Sequence, residues 1–211
     1  MKRDLLTSLI AVAVMTAFLG LAYPLAITGF AQVAFPGEAN GSRVSVNGRV
    51  VGSRLIGQDF KGNPAYFQSR PSATGYSPDA THFSNQGPNS VEAREAVREN
   101  LAAYLDRERP YAPGLRAGEP ISADMNRESA ARLVVPVDAV TQSASGVDPH
   151  ISQANAWIQA HRIAAARDLT LVEVDDLISA HTDGRALGLL GEPGVNVLEL
   201  NIALDEEAPR R

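Results

Sequence analysis

The residues best suited to chemistry lie close together in one short segment, residues 143–152. Asp148, His150 and Ser152 supply a carboxylate, an imidazole and a hydroxyl, which together suit acid–base catalysis or the binding of a cation. The same segment suits the start of a helix, because Asp and Ser oxygens accept hydrogen bonds from the N–H groups of a first helical turn. Such a helix start also attracts an anion, including a partner's carboxylate. The sequence leaves these three interpretations open.

Five further polar residues are candidates for structural or partner contacts rather than for catalysis. Arg70 and Ser72 open a long segment rich in turn residues, and a loop of this length inside a compact domain is usually functional or mobile. Asn89 is predicted to cap the helix that follows it. Arg162 borders the apolar face of a later helix, where a partly buried arginine usually forms a structural ion pair. Asn196, in the last apolar segment, completes this set.

Several classes of function are excluded by what the sequence lacks. It has 211 residues and no cysteine, which excludes disulfides, thiolate zinc sites, iron–sulfur clusters and cysteine nucleophiles. Walker-type phosphate loops, the G-x-S-x-G elbow and the H-E-x-x-H metal motif are also missing. With 19 basic and 24 acidic residues, the chain has a formal charge of −5, unlike a nucleic-acid binder. We therefore assign no catalytic residue, metal ligand or cofactor to motifs of this chain.

The N-terminal segment is apolar enough to cross a membrane. No charged residue occurs from Leu5 to Gly37, and a helix of about 20 apolar residues spans the hydrocarbon of a bilayer. We predict a retained transmembrane helix over residues 7–29. The alternative is a cleaved signal peptide, which the small residues Ala31 and Ala34 permit, although the apolar run is long for one.

Charge on the two sides of the predicted span sets its orientation. Lys2 and Arg3 precede the span, whereas residues 30–211 carry 17 basic and 23 acidic side chains. Cytoplasmic flanks are enriched in Lys and Arg. Residues 1–6 are therefore predicted to be cytoplasmic, and residues 30–211 to form one extracytoplasmic domain.

The part after the span mixes short strands with helices and lacks a regular alternation of the two. The dipeptide Asn47-Gly48, between alternating apolar residues, predicts a hairpin. The other predicted elements are strands over residues 52–60, 132–137 and 195–205, and helices over residues 89–109, 152–168 and 174–181. The apolar stripe of the second of these helices comprises Ala154, Ile158, Ala165 and Leu169. This mixture is typical of an α+β fold.

Ordered motifs along nearly the whole chain point to one known family. They include YPLAITGFAQVAFPGEANGS from Tyr23, YFQSRPSA from Tyr66, VPVDAVTQSASGVDPHIS, the helical AWIQAHRIAAAR and the closing LGLLGEPGVNVLELNIALD. In these motifs, in its length and in its single N-terminal span, the chain resembles the C subunit of the Kdp potassium-transporting ATPase, the KdpC family. Val147 and His161 depart from the leucine and proline that are common in the family.

The resemblance implies a role that composition alone does not show. It implies a non-catalytic accessory subunit of a high-affinity, ATP-driven potassium import complex, held in the cell inner membrane by one span. The implied partners are a potassium channel-like subunit, a P-type ATPase subunit and the lipid bilayer. The resemblance also implies that the subunit stabilises assembly and assists ATP use, so any association with ATP rests on it alone. The alternatives are a membrane-anchored exported hydrolase or a ligand-binding module that uses Asp148, His150 and Ser152.

Overall fold

A computed structural model of the chain describes residues 2–87, 89–117 and 134–207. The chain divides into two compact units, residues 1–53 and residues 54–211. The first unit contains one long apolar helix and a hairpin, and the second contains a mixture of helices with a small sheet. The predicted α+β class, with one N-terminal candidate span, is confirmed.

The first unit begins with a helical run, Lys2–Ala34, that is long and apolar enough to cross a membrane. It comprises α1 (Lys2–Ala17), a π-helical turn (Phe18–Ala22) and α2 (Tyr23–Ala34). Pro24 has no N–H to donate and normally disturbs a helix. The π turn stands just before this proline, with the Tyr23 N–H donating to the carbonyl of Phe18. The helix therefore continues past Pro24 to Ala34.

A two-stranded hairpin closes the first unit, as predicted. After a short helix, α3 (Pro36–Ala39), strand β1 (Arg43–Val46) pairs antiparallel with β2 (Arg49–Ser53). The turn residues Asn47 and Gly48 both have positive φ, at 51° and 75°. These values belong to a type I′ turn, whose twist matches that of paired strands.

In its described residues, the second unit places short antiparallel strands beside four helices. The three strands lie in the order β3-β5-β4, so that β5 pairs with both neighbours. The strands are β3 (His150–Ile151), β4 (Thr182–Asp183) and β5 (Gly194–Asn196). The helices are α4 (Val91–Glu108), α5 (Gln153–Arg167), α6 (Leu171–Ala180) and α7 (Val197–Glu207).

Helix α5 is the central element of this unit, because it contributes to both of its apolar cores. In the larger core, Ile163 and its neighbours on α5 pack with apolar side chains from α6, α7, β3 and β5. In the smaller core, Ile158 packs with Tyr104 of α4. The prediction of a helix over residues 152–168 is confirmed, but the predicted stripe is partly wrong. Ala165 is exposed, and Arg162, Ile163 and Ala164 are buried instead.

The start of α4 differs from the predicted one by one residue. Ser90, not Asn89, is the N-cap, and its hydroxyl accepts a hydrogen bond from the Ala93 N–H at 3.1 Å. Asn89 lies at the surface inside a turn that is closed by the Ser90 N–H and the Gly87 carbonyl at 3.0 Å. Because an N-cap needs extended backbone, the residue that follows the turn takes this role.

The last predicted strand is wrong for most of its length. Only Gly194–Asn196 is extended, and helix α7 begins at Val197. Buried residues then recur at helical spacing along α7: Val197, Leu198, Leu200, Asn201, Ala203 and Leu204. The alternation in the sequence is a subset of this helical pattern, so it is compatible with both a strand and a helix.

The other two predicted strands also differ from the structure. Residues 54–60 form turns and irregular backbone, and only the first two residues of the predicted strand over 52–60 belong to β2. Of the predicted strand over 132–137, residues 132 and 133 lie outside the described residues. Val134 makes an isolated bridge with Arg116, and a 3-10 turn, Val137–Ala139, follows.

Candidate functional site

The structure joins three of the predicted site residues in one chain of charged groups at the edge of the small sheet. Arg70 Nη1 lies 3.0 Å from Asp148 Oδ2, and the other oxygen of Asp148 accepts the His150 N–H at 2.9 Å. The ring Nε2 of His150 lies 3.4 Å from Asp183 Oδ2. Strand pairing brings Asp183 here, because β3 and β4 both border β5. Sequence reasoning missed Asp183, which lies 33 residues away in the chain.

Ser152 acts as a helix cap and is not part of this chain of charges. Its hydroxyl accepts the Asn155 N–H at 3.1 Å and donates to Asp138 Oδ1 at 2.7 Å. Asp138 also accepts the Ser152 N–H at 2.8 Å and the Asn155 side-chain amide at 3.0 Å. A carboxylate beside the start of α5 interacts favourably with the helix dipole. The capping interpretation is therefore confirmed for Ser152.

Arg70 and Ser72 belong to a segment that we call the strap, residues 66–76. The Ser72 hydroxyl donates to the Gly146 carbonyl and accepts the N–H groups of Thr74 and Tyr76 at 3.1 and 3.0 Å. The Tyr76 hydroxyl donates to the Arg70 carbonyl. Burial raises the pKa of Tyr76 to about 12, so this hydroxyl stays protonated and remains a donor. Loop contacts thus fold the strap onto residues 146–148.

Two buried amide side chains hold the front of the strap as a neighbouring strand would. Asn201 accepts the Phe67 N–H at 2.8 Å and donates to the Phe67 carbonyl at 3.0 Å. Gln159 does the same for Gln68, at 2.7 and 3.1 Å. These paired bonds satisfy backbone groups that burial would otherwise leave without water. For Asn201 the signal in the sequence is a lone amide in an apolar helix, and sequence reasoning did not use it.

Arg162 forms the predicted ion pair, and its partner is Glu108 at the end of α4. Its Nε lies 3.1 Å from both carboxylate oxygens, and the two side chains are 1% and 0% exposed. The guanidinium also donates to the carbonyls of Pro64 and Tyr66, at 2.5 and 2.9 Å, and to Gln159 Oε1 at 2.8 Å. Burial lowers the pKa of Arg162, and the nearby Glu108 opposes this effect. The pair therefore ties α4, α5 and the strap together.

The buried hydroxyl of Tyr104 also connects α4 with α5. The Tyr104 hydroxyl donates to Asn155 Oδ1 at 2.9 Å, and Tyr104 is 2% exposed. Burial raises the pKa of Tyr104 well above its ordinary value, and the charge of Glu108 adds to this effect. The hydroxyl is thus a neutral donor throughout the physiological range of pH.

Asn196 and Asn89 lie on other elements. Asn196 Oδ1 accepts the Glu199 N–H at 3.2 Å and so caps α7, and its amide donates to the Arg54 carbonyl at 2.8 Å. This cap was the missed signal for the start of α7. Asn89 lies in the surface turn before α4. The structure therefore gives Asn196 a structural role and separates Asn89 from the strap contacts.

Gly57 is required by a close approach of two backbone segments. The Gly57 N–H donates to the Val147 carbonyl at 2.7 Å. A Cβ on Gly57 would lie 2.5 Å from the carbonyl oxygen of Asp148, which is closer than a Cβ approaches a non-bonded atom. Gly57 thus places residues 147–148 where Asp148 meets Arg70.

These contacts give the site a structural role, and we call the set of them the structural lock. Amides, hydroxyls and ion pairs hold the strap and the sheet edge to α5. Among residues 2–87, 89–117 and 134–207, no group of three His, Cys, Asp or Glu side chains is placed to hold a metal ion. Arg70, Asp148 and His150 are partly exposed, and Asp183 is exposed.

Comparison with known proteins agrees with the motifs. Residues 5–206 match the family described as "K+-transporting ATPase, c chain". Proteins called potassium-transporting ATPase KdpC subunit are similar over nearly their whole length. The protein from Koribacter versatilis is 44% identical, over 99% of this chain and 97% of its own. That from Sorangium cellulosum is 48% identical, over 97% and 98%, and that from Herminiimonas arsenicoxydans 46%, over 98% and 99%. The chain therefore belongs to the KdpC family, the c chain of the K+-transporting ATPase.

Proposed function

We propose that this chain is a non-catalytic accessory subunit of a high-affinity, ATP-driven potassium import complex. In this role it stabilises the assembly of a potassium channel-like subunit with a P-type pump subunit and assists the pump subunit's use of ATP. One observation carries the proposal beyond the family assignment: the polar residues suited to chemistry make bonds within the fold. Ser152 caps a helix, Arg162 neutralises Glu108, and Arg70 pairs with Asp148.

The geometry favours this role over that of an exported hydrolase. In a hydrolase built on Asp148, His150 and Ser152, the serine nucleophile needs the imidazole as the base that hydrogen-bonds its hydroxyl. The Ser152 hydroxyl instead donates to a carboxylate, Asp138, and accepts a backbone N–H. The ring of His150 contacts Asp183 and Asp148 instead. In this setting Ser152 stabilises a helix start, and its hydroxyl bonds to Asp138 rather than to the imidazole of His150.

The assistance with ATP is proposed to act through protein contacts. Two pockets border α4, and their volumes are about 220 and 560 Å³. The first is lined by Asp59 and Arg107 among other residues, and the second by Asp106 and Arg109. Each surface balances its guanidinium with a carboxylate, whereas a triphosphate requires a clear excess of positive charge. Direct binding of ATP therefore has little support from these surfaces.

The proposed location is the cell inner membrane, with the N-terminus in the cytoplasm and residues 30–211 on the other side. Lys2 and Arg3 before an uncharged span support this orientation. A reporter fused after Arg211 should be active only if that reporter requires export. Activity of a cytoplasm-only reporter at the same site would refute the orientation.

The proposed function is tested by leaving this chain out of the complex. We expect the other subunits, purified without it, to associate weakly and to need more ATP for half-maximal potassium-dependent hydrolysis. Adding back the full chain in mild detergent should restore both properties. If assembly and the KM for ATP are the same with and without the chain, the proposed accessory role is wrong.

A further inference from the structure

The connection between β4 and β5 exposes three leucines at its tip. We call residues 184–193 the leucine loop. Leu187, Leu189 and Leu190 are 91%, 81% and 64% exposed, and Leu187 is the most exposed large apolar side chain in the described part of the second unit. Soluble surfaces rarely gather such residues, and a contiguous apolar patch marks a site of interaction.

The leucine loop is held in a defined shape. Ala186 and Leu190 exchange two backbone hydrogen bonds, at 2.8 and 2.9 Å, and the Leu189 N–H donates to the Ala186 carbonyl at 3.2 Å. Arg185 Nη2 pairs with Glu192 Oε2 at 3.0 Å across the base of the loop. The leucines are therefore presented on a small closed hairpin.

The backbone of this hairpin is unfavourable for the residue at its tip. Leu187 and Gly188 have φ of 54° and 75°, which are the positive values of a type I′ turn. The same turn in the β1–β2 hairpin uses Asn47 and Gly48, with φ of 51° and 75°. Asn tolerates this left-handed conformation, whereas a leucine is strained in it. The chain thus keeps a leucine where both the backbone and the solvent disfavour it, which is typical of a residue retained for binding.

Charge indicates that the leucines meet a protein rather than lipid. Apolar loops that enter a bacterial bilayer are usually flanked by Lys and Arg, which attract anionic headgroups. Here Arg185 is already paired with Glu192, and Asp183 adds a negative charge at the root of the loop. Residues 54–211 contain 15 basic and 22 acidic side chains, a formal charge of −7. This acidic surface disfavours both an anionic membrane and a second copy of the chain.

We propose that the leucine loop docks into an apolar groove on a membrane-embedded subunit of the same complex. The groove lies on the side of the membrane that carries residues 54–211. The polar groups at the root of the loop, among them His150 and Asp183, form a polar rim around the apolar tip, as in other protein interfaces. This inference rests on the proposed function, because it needs the other subunits as partners.

The first test compares two variants of the full chain in mild detergent. In L187N/L189S/L190S, the turn is kept but the apolar tip is removed. In the control, V91S/V172S, two other exposed apolar residues (58% and 64% exposed) are changed within the first turns of α4 and α6. Each chain is titrated into subunits purified without it. We expect the concentration for half-maximal assembly to rise about tenfold or more for the loop variant, as for loss of a buried apolar anchor. The control should change by about twofold or less.

Equal assembly of the wild type and the loop variant would overturn the docking proposal and leave the proposed function intact. Failure of the wild-type chain itself to assemble would overturn both. Tryptophan fluorescence during thermal unfolding checks that the loop variant is folded, and Asn at position 187 is expected to favour folding there.

The second test identifies the occupant directly. A photo-crosslinking amino acid replaces Leu189 in the assembled, purified complex. An adduct with a polytopic subunit supports the proposal. An adduct at twice the mass of this chain, or an adduct with lipid only, would overturn it.

Discussion

Removing the carboxylate of Glu108 is expected to be among the most damaging single changes in this chain. Glu108 is 0% exposed and balances the guanidinium of Arg162, which is 1% exposed. In E108A the arginine keeps its neutral partners, the carbonyls of Pro64 and Tyr66 and the amide of Gln159. None of these partners neutralises its charge.

The magnitude follows from this burial. Breaking a buried ion pair by removing one partner costs about 3–5 kcal/mol, because the remaining charge is left uncompensated. A domain of ordinary stability has about 5–15 kcal/mol in total. The variant should therefore lose at least about a fifth of the free energy of unfolding of the second unit, and most of it if that free energy lies near the lower bound. The lowered pKa of Arg162 indicates the same desolvation of its charged form.

The only tryptophan of the chain makes the measurement direct. Trp157 lies on α5 and packs against the larger core, so its fluorescence reports unfolding of the second unit in the full chain in detergent. Urea unfolding is followed for the wild type, for E108A and for E99A. Glu99 lies on the same helix but is exposed, so E99A should change stability by about 0.5 kcal/mol or less.

A double variant separates the ion pair from the packing around it. E108L/R162M removes both buried charges, and such replacements of buried pairs are often close to neutral. It also removes the carboxylate that Arg107 Nε contacts at 2.7 Å, but the Arg107 side chain is 30% exposed and can be solvated. We expect it to be more stable than E108A, although the carbonyls of Pro64 and Tyr66 lose their donor. If E108A unfolds within about 1 kcal/mol of the wild type, water reaches Arg162 and the structural lock is wrong as we describe it.

Three further predictions concern the caps and the loop tip. S152A should lose about 0.5–2 kcal/mol of stability in urea unfolding, because the hydroxyl caps α5; no loss would mean that water replaces the cap. L187N should gain about 1 kcal/mol, because Asn tolerates the left-handed backbone; a loss would contradict the strain. The pKa of Glu173 is lowered, chiefly by its bond from the Thr170 N–H, so its stabilising effect is present above about pH 4.3 and disappears below it. E173Q should therefore lose less stability than the wild type on acidification, and equal losses would contradict this assignment.

Local signals in the sequence predicted local features well. The Asn47-Gly48 hairpin and the helix after Ser152 follow from turn chemistry and capping, which involve neighbouring residues only. The ion pair of Arg162 was expected from its place beside an apolar face. Its partner, Glu108, was not, because the pair joins residues 54 apart and depends on how α4 packs on α5.

The errors arose where two local patterns compete or where distant residues decide. The segment after Val195 alternates and is also compatible with a helix, and the cap from Asn196 settles the outcome. The strap offers no periodicity at all. Its position is decided by Gln159 and Asn201, which lie 91 and 134 residues away from the backbone that they hold.

The second unit has two apolar cores, but it departs in two places from what a self-sufficient domain would need. Amides and an ion pair occupy its interior, where they stabilise little beyond what they cost to bury but specify one arrangement of the strap and helices. Three leucines, which would stabilise a core if buried, stand in solvent on a strained turn. Both the buried polar groups and the exposed leucines leave the isolated chain less stable than an apolar interior and a polar surface would. Both are consistent with a domain whose shape must be fixed so that a single apolar loop meets its partner in one orientation.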